Sequence, residues 1–243
     1  MTLPVIFIDD GGVLSDNSVR GDQWAALLGG FLPPLLGGTP EQWSAANKQL
    51  IATQLSGKAL MELGEGTNYE GFAERYAQAW LNGMCRLVGL PEHPLEECLR
   101  IERQAAEFVT PRVHAALPWS AEAVHSLVGL GFHLHTASGE RSWELEGYLA
   151  GMGIRGCFQH LYGSDLVGHF KSGPEYYERV FADARIAARD AVVVDDTPKA
   201  IGWAKQVGAR TVLVSTTLYT PAADMAIPNL ASLLTTIRAI TSA

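Results

Sequence analysis

Two adjacent carboxylates, Asp9 and Asp10, end the apolar run VIFI at residues 5–8 and are followed by Gly11 and Gly12. A second acidic pair, Asp195 and Asp196, ends another apolar run at residues 191–194. Between them, Ser138 and Gly139 close the segment 132–137, and Lys171 sits in the stretch GHFKSGPE. Carboxylates brought together repel unless a cation holds them, so this set points to a hard metal with oxygen ligands. Magnesium suits it, taking one or two carboxylates and leaving room for water and phosphate oxygens. A lysine, a hydroxyl and loop amides would then supply donors to an anionic group. Considered singly, Asp9 and Asp10 also suit a turn, Ser138 a strand end and Lys171 a solvated surface.

Such side chains need elements that deliver them to one place. Residues 5–8 read as a buried strand stopped by a tight loop. Further strands are expected at 132–137, 158–162, 191–194 and 211–214, with helices near 120–130, 142–152, 174–184 and 198–207. Strands alternating with helices predict a Rossmann-like parallel sheet with helices on both faces, an α/β fold. In such sheets ligands bind beyond the carboxyl ends of the strands, which is where the acids, Ser138 and Gly139 fall. Residues 19–110 instead carry a helical pattern. Thr39-Pro40-Glu41 reads as a helix start, and Phe72, Tyr76 and Trp80 recur every fourth residue, as Leu95 and Leu99 do. The expected organisation is a core of residues 1–18 and 111–243 interrupted by a helical cap at 19–110. The cap aromatics read as core, and a closing cap would exclude water and choose substrates.

The composition narrows the function. With 243 residues, 47% hydrophobic and 18% charged, a packed domain plus an insertion is expected. A net charge of −8 argues against a nucleic-acid or anionic-membrane surface but leaves room for a small anion in a local pocket. Cys85, Cys98 and Cys157 lack the spacing of a zinc site or disulfide framework and read as reduced thiols. MTLPVIFIDD lacks the basic and long apolar regions of a leader, so a cytoplasmic location is expected. No oligomeric state follows from these numbers.

The motifs in order carry a resemblance. VIFIDDGGVLSDN resembles the first motif of the haloacid dehalogenase-like (HAD) hydrolase superfamily, a strand followed by Asp-x-Asp-Gly-(Thr/Val)-Leu. LHTASGE looks like the second motif, FKSGPEYYERVF is similar to the lysine motif, and VVVDDTPKAIGWAKQVGARTVLV looks like the fourth. The resemblance spans residues 5–230 apart from the cap. It implies a hydrolase in which Asp9 is the nucleophile and Lys171 and Ser138 hold the transferring group. Asp10, Gly11 and Gly139 would border the substrate. Magnesium would be held by Asp9, the Gly11 carbonyl and Asp196, with Asp195 beside it. The reaction implied is phosphatase chemistry on a small phosphorylated metabolite through an aspartyl-phosphate.

The pattern breaks at Gly11, where the superfamily's phosphatases usually carry a second aspartate as general acid. Losing that acid costs roughly two to four powers of ten if nothing replaces it. A good leaving group, an acid from elsewhere, or a site that only binds ligand would each account for the gap. Asp10 is adjacent, but neighbours on an extended chain point to opposite sides. Ala200 also stands where many members carry a further acid. A metal-free 2-haloacid dehalogenase is the alternative enzyme, disfavoured by the Asp195-Asp196 pair. His135, His169 and Asp16 read as structural.

Overall fold

The computed structural model describes residues 3–242. Met1 and Thr2, at the start of the segment read as lacking a leader, lie outside the described residues. Along the chain β1 (Val5–Ile8) leads into α1 (Asn17–Phe31), α2 (Pro33–Leu36), α3 (Pro40–Thr53), α4 (Gly57–Gly64), α5 (Tyr69–Val88) and α6 (Leu95–Val109). Then come α7 (Ser120–Gly129), β2 (Leu134–Ala137), α8 (Ser142–Gly151), β3 (Phe158–Tyr162), α9 (Pro174–Ala184) and β4 (Ala191–Asp195). The chain closes with α10 (Pro198–Gln206), β5 (Arg210–Val214), β6 (Met225–Ile227) and α11 (Leu233–Ser242). None of the helices among the described residues is long and apolar enough to cross a membrane.

Two compact units result: Met1–Asn17 with Ala115–Ala243, and Ser18–His114. The sequence reading set the junctions at 18/19 and 110/111; this division falls at 17/18 and 114/115.

In the first unit the sheet order is β3-β2-β1-β4-β5-β6, and every pair is parallel. This is the expected α/β, doubly wound architecture. The direction of strand addition reverses between β1 and β4, which opens a crevice beyond their carboxyl ends. Register sets the two strands level there: Ile8 pairs with Val194, and the Asp9 amide donates to the Val194 carbonyl at 2.9 Å. The two-residue alternation of a strand splits the core. Ile6, Ile8, Val192 and Val194 pack with Val124, Leu127, Leu145, Leu149, Leu233 and Ile237, on α7, α8 and α11. Phe7 and Val193 pack on the other face against Tyr176, Tyr177, Val180 and Phe181 of α9. Truncating one such chain, Leu134→Ala for example, costs about 2–5 kcal/mol.

The second unit is helical, as expected. Thr39 caps α3: its hydroxyl accepts from the Gln42 amide, the Gln42 side chain accepts from the Thr39 amide, and Pro40 opens the helix. Trp80 is buried and donates to Asn47, while Phe72 and Tyr76 are half-buried and lie ring against ring. On α6 the buried stripe is Cys98, Ile101, Ala105 and Val109, with Leu95 and Leu99 at its edge. All three cysteines are free.

Candidate active site

The loop after β1 is wound about one carbonyl. The oxygen of Asp10 accepts from the amides of Leu14 at 2.8 Å and Ser15 at 2.9 Å, and Gly12 N–H donates to the Ser15 carbonyl. The turn needs Gly12, whose φ is +80° and whose missing Cβ would lie 2.0 Å from an oxygen of Asp196. Adjacent acids therefore part company. Asp9 faces the cleft, whereas Asp10 is fully buried and its Oδ1 accepts from the Ser15 hydroxyl at 2.9 Å. The expectation that Asp10 borders the substrate is corrected: its carboxylate serves the loop.

Lys171, just before α9, reaches across the sheet end. Its Nζ lies 3.0 Å from Asp9 Oδ1 and 2.6 Å from Asp195 Oδ2, and donates to the Ala137 carbonyl at 2.8 Å. Asp195 sits on the α9 face of β4, fully buried, and its other oxygen accepts from the Thr197 amide at 2.7 Å. Asp196 accepts from the Thr197 hydroxyl at 3.0 Å. Ligand oxygens of Asp9, Asp195 and Asp196 all come within 4.8 Å of one another. Asp195, expected beside the metal, lies in the same acidic cluster, with one oxygen engaged by Lys171 and the other by the Thr197 amide, while Asp9 and Asp196 are the two acids of that cluster that line the cleft.

The electrostatics follow from three acids sharing one ammonium. Burial opposes the charge on Lys171, yet Asp9 foremost and Asp195 hold its pKa well above the ordinary lysine value. Burial pushes Asp195 up to about 6 despite Lys171, and burial likewise raises Asp196. A further cation is the natural complement of such a set, and its all-oxygen, hard character suits a divalent ion of the magnesium kind.

The second strand's contribution is also held from beneath. Ser138 is buried, its hydroxyl accepts from the Glu140 amide at 3.2 Å, and its carbonyl accepts from Tyr176 Oη at 2.9 Å. Asp165 fixes the start of α8 by accepting from the Ser142 amide and hydroxyl at 2.7 and 2.6 Å. Asp9, Gly11, Ser138, Gly139, Lys171 and Asp196 thus border one cleft of about 450 Å³.

Sequence reasoning missed Thr197, Asn17, Glu140, Lys199 and Trp203 on the same cleft. Thr197-Pro198 carries the signal of a helix start and was legible as such. Asn17, at the first position of α1, had no motif to mark it. His135 and His169 lie elsewhere: His135 Nδ1 accepts from the His160 amide, and His169 lies 3.4 Å from Glu175.

Fold and cleft together describe a doubly wound α/β protein whose cleft is lined by a lysine-clamped aspartate. Residues 98–214 match the family model of haloacid dehalogenase-like hydrolases, a segment that holds Ser138, Lys171, Asp195 and Asp196 but not Asp9. No curated protein matches the chain. Among solved structures, the HAD-hydrolase YfnB from Bacillus subtilis bound to magnesium superposes with a TM-score of 0.63 at 18% identity, over 98% of this chain and 99% of that one. The L-2-haloacid dehalogenase from Xanthobacter autotrophicus gives 0.60 at 19% identity, over 98% and 99%. CbbY from Rhodobacter sphaeroides in complex with phosphate gives 0.59 at 15%, over 96% of each chain. At these identities the likeness is one of fold. Residues 98–214 are thus similar to haloacid dehalogenase-like hydrolases, in keeping with the resemblance read from the sequence.

Proposed function

We propose that the protein is a magnesium-dependent phosphatase of small phosphorylated metabolites, with Asp9 as nucleophile. The observation that carries this reading is the pairing of Asp9 with Asp196 at the switch point, within a cluster of three carboxylates served by one lysine. Two acids left facing each other cost free energy unless a cation or an anion-bearing cation complex fills the space. Asp9, Asp196 and the Gly11 carbonyl would hold magnesium. When bound, the ion neutralises phosphate charge so that an anionic nucleophile can approach.

The chain's own groups do the rest. Lys171 orients Asp9 through the 3.0 Å contact and presents positive charge to a phosphoryl oxygen. Ser138 and the amides of the Gly139 loop are the further donors for that group. Asp9 attacks phosphorus, the bond to the leaving oxygen breaks, and an aspartyl-phosphate forms. Water then adds at phosphorus, the bond to Asp9 breaks, and the carboxylate is restored.

A second reading, a 2-haloacid dehalogenase, is favoured by Gly11 and by the dehalogenase among the structural relatives. It calls for no cation between Asp9 and Asp196, which leaves their clustering less well explained and ranks it second. Assays of phosphate release and halide release separate the two. Phosphate release that stops with EDTA, returns with magnesium and is absent from Asp9→Asn is expected. Halide release insensitive to EDTA would replace this reading with the second.

A further inference from the structure

We infer that Asn17 fills the place of the missing acid at Gly11 and hydrogen-bonds the departing oxygen, which confines the site to phosphoryl donors whose leaving group is a stable anion. This rests on the phosphatase reading above and names its substrate class. A Cβ added at Gly11 would lie 2.7 Å from Asn17 Nδ2, 2.9 Å from Oδ1 and 3.2 Å from Cγ. The volume a side chain at position 11 would use is thus held by the Asn17 carboxamide. Asn17 lines the cleft with Asp9, Ser138, Lys171 and Asp196, and its side-chain amide has no hydrogen-bond partner among the described residues. Two of the other charged groups on the cleft are engaged, Lys171 by Asp9, Asp195 and the Ala137 carbonyl, and Asp196 by Thr197.

An amide offers two N–H donors but no transferable proton at neutral pH. In the first step Asp9 Oδ bonds to phosphorus and the phosphorus–oxygen bond to the leaving group breaks, its electron pair staying on the departing oxygen. The Asn17 N–H stabilises that developing charge without neutralising it. The product leaves as an anion and takes a proton from water if its basicity requires one. In the second step water bonds to phosphorus, the bond to Asp9 breaks and restores its carboxylate, and the water's two protons leave, one on inorganic phosphate and the other with it or to bulk water. Acyl phosphates and phosphates of an anomeric hydroxyl meet this demand; simple alkyl phosphates do not.

The test is a leaving-group series: acetyl phosphate, aryl phosphates of graded phenol acidity and one alkyl phosphate, with magnesium. Wild type is compared with Asn17→Ala, Asn17→Ser, Gly11→Asp/Asn17→Ala, Glu140→Gln and Asp9→Asn. Wild-type rates should fall steeply as the leaving group becomes more basic. Asn17→Ala should lose about tenfold, more for poorer leaving groups, because a hydrogen bond to developing charge is lost. Asn17→Ser, which keeps a donor, should recover part of it. The double variant should raise alkyl phosphate turnover at least about tenfold above wild type, since an acid then occupies the vacated volume. Equal rates for Asn17→Ala and wild type across the series overturn the inference. So does a loss confined to poor leaving groups in Glu140→Gln alone, which would make Glu140 the acid. Phosphate release no greater than that of Asp9→Asn on any substrate would instead overturn the phosphatase reading, and this inference with it.

Discussion

Replacing Lys171 by methionine should leave a folded but inactive protein whose stability deficit grows with pH. The ammonium lies 3.0 Å from Asp9 and 2.6 Å from Asp195. At an effective dielectric of about 20, each contact carries roughly 6 kcal/mol of attraction, and breaking a buried pair commonly costs about 3–5 kcal/mol. Proton uptake sets a lower ceiling here. Burial already raises Asp195 to about 6, so at pH 7 it is ionised by a margin of only about one unit. Without Lys171 its carboxyl rises further and binds a proton instead of remaining as an unpaired charge. One unit is worth a little over about 1 kcal/mol, so the Asp195 share of the deficit should be about 1 kcal/mol at pH 7. The sign follows from linkage: a folded-state pKa above the unfolded value makes the folded variant bind the extra proton, so it loses stability as pH rises. That share should therefore be near zero at about pH 6 and about 2–3 kcal/mol at about pH 8, on top of whatever the lost Asp9 contact costs. Urea unfolding of both proteins in EDTA at these pH values measures it. Turnover should fall by about three powers of ten, the loss typical of a charge-stabilising donor. A deficit independent of pH, or turnover within tenfold of wild type, would refute this reasoning.

Gly12→Ala should be more damaging than its size suggests, because the new Cβ would meet Asp196 at 2.0 Å and the φ of +80° is strained for alanine. A stability loss of about 1–3 kcal/mol is expected together with at least tenfold weaker magnesium binding by calorimetry; unchanged affinity would contradict the placement of Asp196. Tyr176→Phe removes the hydroxyl that meets the carbonyls of Ser138 and Tyr162 at 2.9 and 3.1 Å, and should lower stability by about 1–2 kcal/mol, read from the urea midpoint. His135 is held down to about 4, chiefly by burial and then by His160 and His133. The unfolded chain binds that proton first, so stability should fall as pH drops from about 6.5 to 4, by on the order of 2 kcal/mol once screening is discounted. His135→Gln should lose less between pH 7 and 4.5 in the same urea assay, and equal losses would contradict it.

The strands that carry the chemistry were legible because each is a short apolar run stopped by a polar residue, and the core helices 142–151, 174–184 and 198–206 lie within a residue of their expected ends. The strand order was not, since nothing local in β1 says that β2 and β4 flank it. β6 escaped notice because Met225 and Ala226 are exposed on an edge strand and give no buried pattern. Alternation rightly separated Asp9 from Asp10, but the partner of Asp10, Ser15, emerges only when the loop winds about the Asp10 carbonyl. Asp195 and Asp196 were seen as a pair of acids; their division of labour depends on which face of β4 meets Lys171. Asn17 was invisible for the same reason: six residues from Gly11, it returns to it only through the turn.

A single turnover in heavy-oxygen water, quenched with acid, decides where the electrophile and the water meet. The peptide containing Asp9 should carry one phosphoryl group at early times, and heavy oxygen should then be found in inorganic phosphate with none in the Asp9 carboxylate. Heavy oxygen in that carboxylate, as water attack on an alkyl ester would leave it, would contradict the phosphoryl route. An Asp9 peptide without a phosphoryl group at every time, during active turnover, would contradict Asp9 as the nucleophile.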